Sequence, residues 1–104
     1  AVKKSSGLHL LEIKDLLYIK ADGHYTELHL LDETNHLHDK AIDKLSKLLP
    51  DNFVRIHRSY IANIKHIKSL KISSGGSYQV ILTNDGELPV SRGRYSALKA
   101  LIAI

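Results

Sequence analysis

The chain has 104 residues, a formal net charge of +4 and no cysteine. That length bounds a single domain able to bury a core without staples, and the missing thiols exclude disulfides, thiolate zinc sites and cysteine nucleophiles. No apolar run approaches the roughly 18 residues of a membrane span, and AVKKSSG at the N-terminus is no signal peptide, so residues 1–7 read as a linker or cut edge and residues 8–104 as the domain.

In chain order, DLLYIKA (15–21) and YTELHLL (25–31) are rich in strand formers, and DGH (22–24) between them is a hairpin turn signal. DETN (32–35) marks the next turn and HLHDK (36–40) a short strand. AIDKLSKLL then places Ile42, Leu45 and Leu49 on one helical face, with Asp39 as N-cap and Pro50 as terminator. After FVRIH, Ile61, Ile64, Ile67 and Leu70 recur every third residue while KSLKIS reads as strand. A helical turn near 62–66 leading into a strand from about 67 reconciles the two patterns. SSGG (73–76) and NDG (84–86) are turns around the alternating SYQVILT, and ELPV (87–90) is a short strand. The last segment offers Leu98, Leu101 and Ile102 as the buried stripe of a helix, with Gly93 delaying its start to about Arg94. Six or more short strands, two short helices and no βαβ rhythm specify a mainly β, antiparallel fold.

Charge is unevenly spread. Residues 1–52 hold 7 Lys+Arg against 9 Asp+Glu, whereas residues 53–104 hold 8 against 2. A basic half of this kind is the footprint of a polyanion partner, or else an uneven solvated surface. All four arginines fall in two patches, RIHR (55–58) and SRGR (91–94), while the lysines are scattered. Arginine carries a planar fork of donors that matches a phosphate or the O6/N7 edge of guanine, so the patches favour binding over mere solvation. His57, among apolar neighbours, braces a loop more often than it touches a ligand. His36 and His38 have a His-x-His spacing, but no further histidine or carboxylate set completes a metal site; they read as polar residues on a solvent-facing strand edge. His29, between leucines on a strand, reads as partly covered and satisfied locally. No Gly-x-Ser-x-Gly setting and no phosphate-cradling glycine loop is present, so neither an enzyme nor a cofactor is expected.

The series LLYIKADGHYTELHL, FVRIHRSYIANIKHI, a Val-Ile-Leu strand, NDG and LPVSRGRY resembles the LytTR family of bacterial DNA-binding domains across residues 8 to 102. The resemblance implies about ten short strands in small antiparallel sheets with two or so short helices. It implies loops inserted into successive major grooves of duplex DNA, with paired direct repeats as targets. An N-terminal receiver domain would precede this one in a cytoplasmic transcriptional response regulator of a two-component system, dimerising there or on DNA, without membrane contact by this domain. By the same resemblance, His24, Arg58 and Arg92 match base-contacting positions. Ser59, Ser91 and Arg94 match phosphate-contacting positions, and His57 and Asn63 match positions that hold a loop in shape. The alternative is a small basic β domain that binds RNA or an acidic protein, although its six aromatic residues lack the clustered strand spacing of an RNA-recognition sheet.

Overall fold

Apolar residues alternate along the middle of the chain, and three of its strands serve two cores. In a computed structural model, which describes residues 2–4, 7–9 and 11–102, β1 (Val2–Lys4) and β2 (Gly7–His9) pair as an antiparallel hairpin. The first of these strands lies in the segment expected to be a linker. Five antiparallel strands follow as one sheet: β3 (Leu16–Asp22), β4 (Tyr25–Leu30), β5 (Asn35–His38), β6 (Phe53–His57) and β7 (Tyr60–Asn63), in the order β5-β4-β3-β7-β6. A second sheet has three, β8 (Ile67–Ile72), β9 (Tyr78–Leu82) and β10 (Glu87–Val90), in the order β10-β9-β8. Helix α1 is Ile42–Leu48 and α2 is Arg92–Ile102. The mainly β, antiparallel expectation therefore holds.

One face of the five-stranded sheet packs Leu16, Ile19, Leu28, Leu30, Phe53 and Ile61 against Ile42 and Leu45 of α1. The other face presents Leu17, Ile56 and Ala62 to Val80, Leu82, Leu88 and Val90 of the second sheet and to Leu98 of α2. Neighbouring residues such as Ile61 and Ala62 thus enter opposite cores, as strand geometry requires. Each buried Leu or Ile contributes about 1.5–3 kcal/mol, so docking of the second sheet is fixed by the β3-β7-β6 face.

Several local expectations are corrected. Asp39 does not cap α1: the N-cap is Ala41, which makes no side-chain cap bond. Leu49 ends the helix in extended conformation, as the residue before a proline must. The helical turn after β7 is confined to Ile64–His66, because Tyr60–Asn63 continues the sheet opposite both β3 and β6. Helix α2 begins at Arg92, with Gly93 accommodated in its first turn. Tyr95, Leu98 and Ile102 form its inward stripe, and Leu101 is 58% exposed, because at 3.6 residues per turn it lies roughly 90° around from the stripe's centre. On β5, Asn35 and Leu37 are the exposed residues while His36 and His38 are half-buried, so the histidine face is not the solvent face. The Nδ1 of His38 accepts a hydrogen bond from the Lys40 N–H (3.1 Å).

Candidate nucleic-acid interface

Three short connections collect the residues singled out from sequence at one edge of the molecule, Asn63 excepted. The first is the two-residue turn Gly23–His24 between the paired residues Asp22 and Tyr25. Gly23 has φ +62°, the left-handed first position that a tight hairpin of this kind demands and glycine supplies without strain. The turn leaves His24 exposed and Tyr25 55% exposed.

The second is the Arg58–Ser59 turn between β6 and β7. Register is set by β3, since Lys20 lies opposite Tyr60 and the Ser59 carbonyl accepts from the Ala21 N–H (2.8 Å). That bond puts the second turn beside the end of β3, from which the first turn departs. Arg58 is exposed, while Ile56 and Ile61 on the two strands it joins are fully buried in opposite cores. The ladder shifts register between Arg55 and His57, a bulge of the kind that re-aims side chains. Ile56 and His57 both turn toward the second sheet: Ile56 enters its core, and His57 lines a groove with Ser91 and Arg92.

Inside this turn the Nδ1 of His57 accepts from the Ser59 N–H (3.1 Å), and its ring meets Tyr60 edge-on at 5.7 Å. Partial burial, followed by the charges of Arg58, Arg55 and Arg94, pushes the His57 imidazole below its usual value of 6.5. A neutral ring with its proton on Nε2 is the form that keeps the Ser59 bond. Asn63, 1% exposed, supports the far end of β7. Its Oδ1 accepts from Asn52 Nδ2 (2.9 Å) and from the Lys65 N–H (3.1 Å), and its Nδ2 donates to the Leu16 carbonyl (2.9 Å).

The third connection runs from β10 into α2. The Ser91 N–H donates to the Ile56 carbonyl (2.9 Å), which joins the two arginine patches directly. Arg92 and Arg94 project from the first turn of α2 and are exposed. The guanidinium of Arg92 lies over Gly76 (φ +80°), where an added Cβ would come within 3.3 Å of Nη2. A groove of about 270 Å³ opens here between His57, Gly76, Gln79, Ser91 and Arg92.

Sequence could not separate the four arginines, and the structure does. Arg55 is turned inward, its side chain 17% exposed. It donates from Nε to the His57 carbonyl (2.8 Å), from Nη2 to the Arg58 carbonyl, and from Nη1 to Asp43 Oδ1 of α1 (2.8 Å). That pairing holds the Asp43 carboxyl below its usual value, through the hydrogen bond first and the charge second. Its partner lies on another element twelve residues away, so no local pattern announces it. Among the described residues no carboxylate pairs with Arg58, Arg92 or Arg94, whereas Lys68 and Lys71 of the second sheet pair with Asp85 and Glu87. Positive charge is therefore uncompensated at the three-turn edge.

Elsewhere, His29 bonds Glu27 (2.9 Å) and stacks on Tyr18 at 4.3 Å, so it is satisfied within the sheet. No group of three or more potential ligands that could hold a metal occurs among the described residues. No helix among them is long and apolar enough to cross a membrane.

Residues 6–103 match the family described as the LytTr DNA-binding domain. The chain is 35% identical over 100 residues to the transcriptional regulatory protein LytR of Staphylococcus aureus, covering 93% of this chain and 39% of that one. It is 35% identical over 96 residues to the sensory transduction protein LytT of Bacillus cereus, covering 91% and 39%. Similarity to the CO-responsive transcriptional regulator RcoM of Rhodospirillum rubrum is 32% over 90 residues, covering 86% and 38%. The chain thus spans about two fifths of the length of these curated relatives. A solved LytTr DNA-binding domain from Bacillus cereus superposes with a TM-score of 0.84 at 26% identity, covering 99% of this chain and 94% of that one. With a family match over residues 6–103 and a fold that superposes over nearly its whole length, the chain belongs to the LytTr DNA-binding domain family.

Proposed function

We propose that this domain binds double-stranded DNA sequence-specifically, through the turns at 23–24 and 58–59 and the start of α2, as the output domain of a bacterial transcriptional regulator. The observation that carries the reading is the uncompensated cationic edge: backbone bonds from Ala21 to Ser59 and from Ser91 to Ile56 lock the three connections together, and Arg58, Arg92 and Arg94 stand exposed on them. Arg58 and Arg92 present forks to guanine edges, and His24 reaches a base from its hairpin tip. Ser59, Ser91 and Arg94 contact phosphates, which position the protein without specifying sequence. His57 and Asn63 act behind them by holding the turns. Because the reading groups sit on separate turns, they enter successive major grooves, and a paired direct repeat is the target that two such domains would cover. An N-terminal receiver domain, dimerisation there or on DNA, and a cytoplasmic setting complete the proposal.

The test begins with selection of bound sequences from random duplexes. On the selected site, Arg58→Ala and Arg92→Ala should each cost about 1–3 kcal/mol. Arg58→Lys and Arg92→Lys should restore non-specific affinity but not base discrimination, since lysine keeps the charge and loses the fork. Relaxed positions should differ between the two arginines. A lysine variant with full discrimination would make that arginine a phosphate anchor, and tighter binding to single-stranded or structured RNA than to duplex DNA would favour the RNA alternative.

A further inference from the structure

Arg55 lies in the same basic patch as Arg58, but each of its three guanidinium nitrogens already donates to a partner within the protein. We infer that Arg55, oriented by Asp43 of α1, is a positioning residue that sets the base discrimination of Arg58 without touching DNA. This inference rests on the reading of Arg58 as a base contact.

The geometry supplies the reason. The Arg58–Ser59 turn must hold a long, flexible side chain in one direction, yet two of its carbonyls, those of His57 and Arg58, point back toward the protein. The Arg55 fork spans both, Nε donating to His57 and Nη2 to Arg58. One rigid planar cation thus fixes the relative orientation of successive peptide units on either side of the Arg58 Cα, which aims the Arg58 side chain. A lysine has a single point of donation and could not span them. Asp43 takes the remaining face of the guanidinium at 2.8 Å, offsets its charge and stops the fork from rotating away. Side-chain groups held only by the turn itself would sample several rotamers and pay the ordering entropy on binding.

The experiment compares Arg55→Met, Arg55→Lys and Asp43→Asn, alone and combined with Arg58→Ala, on the selected duplex and on the duplex altered at the base read by Arg58. Folded fraction is checked by circular dichroism, and affinity is expressed per folded molecule. In the Arg58 background, each substitution should lower the ratio of preferred to altered affinity about tenfold, within the span of one bidentate contact. Non-specific affinity should hold, and the salt slope should not change. In the Arg58→Ala background the same substitutions should leave the ratio unchanged, because they act through Arg58. A general weakening of the fold would give no such dependence on residue 58. The inference is overturned if discrimination survives Arg55→Met, or if the losses add to that of Arg58→Ala. It is equally overturned if the slope of log affinity against log salt falls by about 0.9, which marks a direct phosphate contact. Should Arg55→Met fail to fold, Asp43→Asn, at an exposed helical position, carries the decision. If Arg58→Ala itself leaves discrimination intact, the base-contact reading fails, a result distinguishable from failure of the Arg55 role.

Discussion

Replacing Asn63 with Ala removes three hydrogen bonds at a site 1% exposed. Their losses are unequal. Asn52 is half-buried and Lys65 exposed, so the Asn52 amide and the Lys65 N–H can turn to water, each at a net cost of about 0.5–1 kcal/mol. Leu16, by contrast, is 5% exposed, and its carbonyl loses the Asn63 donor inside the protein, which costs about 1–3 kcal/mol. The total is about 2–5 kcal/mol, a lowering of Tm by roughly 10–25 °C for a domain of this size. Urea and thermal unfolding followed by circular dichroism give the measurement. Asn63→Asp sharpens it: the acceptors toward Asn52 and Lys65 remain, but an oxygen replaces the donor to Leu16. Its deficit should be at least as large near neutral pH and should shrink on acidification, once the carboxyl regains a proton to donate. A loss under about 1 kcal/mol for Asn63→Ala, or an Asn63→Asp variant that weakens further relative to wild type on mild acidification, would refute this account of the network.

Other outcomes follow from the edge and its supports. Arg94→Ala should weaken binding to all duplexes alike and reduce the salt slope by about 0.9; a base-selective loss in titrations across salt would move Arg94 among the reading residues. The folded-state pKa of His57 lies below its unfolded value of 6.5. The unfolded chain therefore binds the extra proton first, so the contribution is fully present above 6.5 and is lost as pH falls from there toward the folded value. His57→Gln should flatten that part of the stability profile of the DNA-free protein, and an unchanged profile would exclude the His57 imidazole as its source. His38→Ala should cost about 1 kcal/mol through the lost bond from the Lys40 N–H, read by urea unfolding, while leaving the selected DNA sequence unaltered.

Much of the fold is legible because strand and turn chemistry are local. The alternation in YTELHLL and SYQVILT, and glycine at positions 23 and 76, place hairpins close to where they occur. Where a tertiary contact overrides a local pattern, the sequence misleads. The threefold spacing of Ile61, Ile64, Ile67 and Leu70 suggests a longer helical turn, but pairing of β7 with both neighbours claims Ala62 and Asn63 for the sheet. Asp39 has the right chemistry for a cap, yet the chain enters α1 two residues later. For the candidate site, residue type alone marks both arginine patches. It cannot show that Ser91 bonds Ile56, nor that Arg55 faces α1 while Arg58 faces out, because each depends on how two distant segments dock.

The bond from the Ser91 N–H to the Ile56 carbonyl also sets an order of events during synthesis. The strands β3 to β7 can pair as soon as they leave the ribosome, whereas Ser91 and α2 are made after all of them. Until Leu98 packs behind Ile56, Arg92 and Arg94 are not held beside the 58–59 turn. A chain in which that packing is lost keeps its basic residues but not the fixed spacing between its two arginine patches. That spacing is set only when the second core closes, which takes Leu98 as well as the residues of the second sheet.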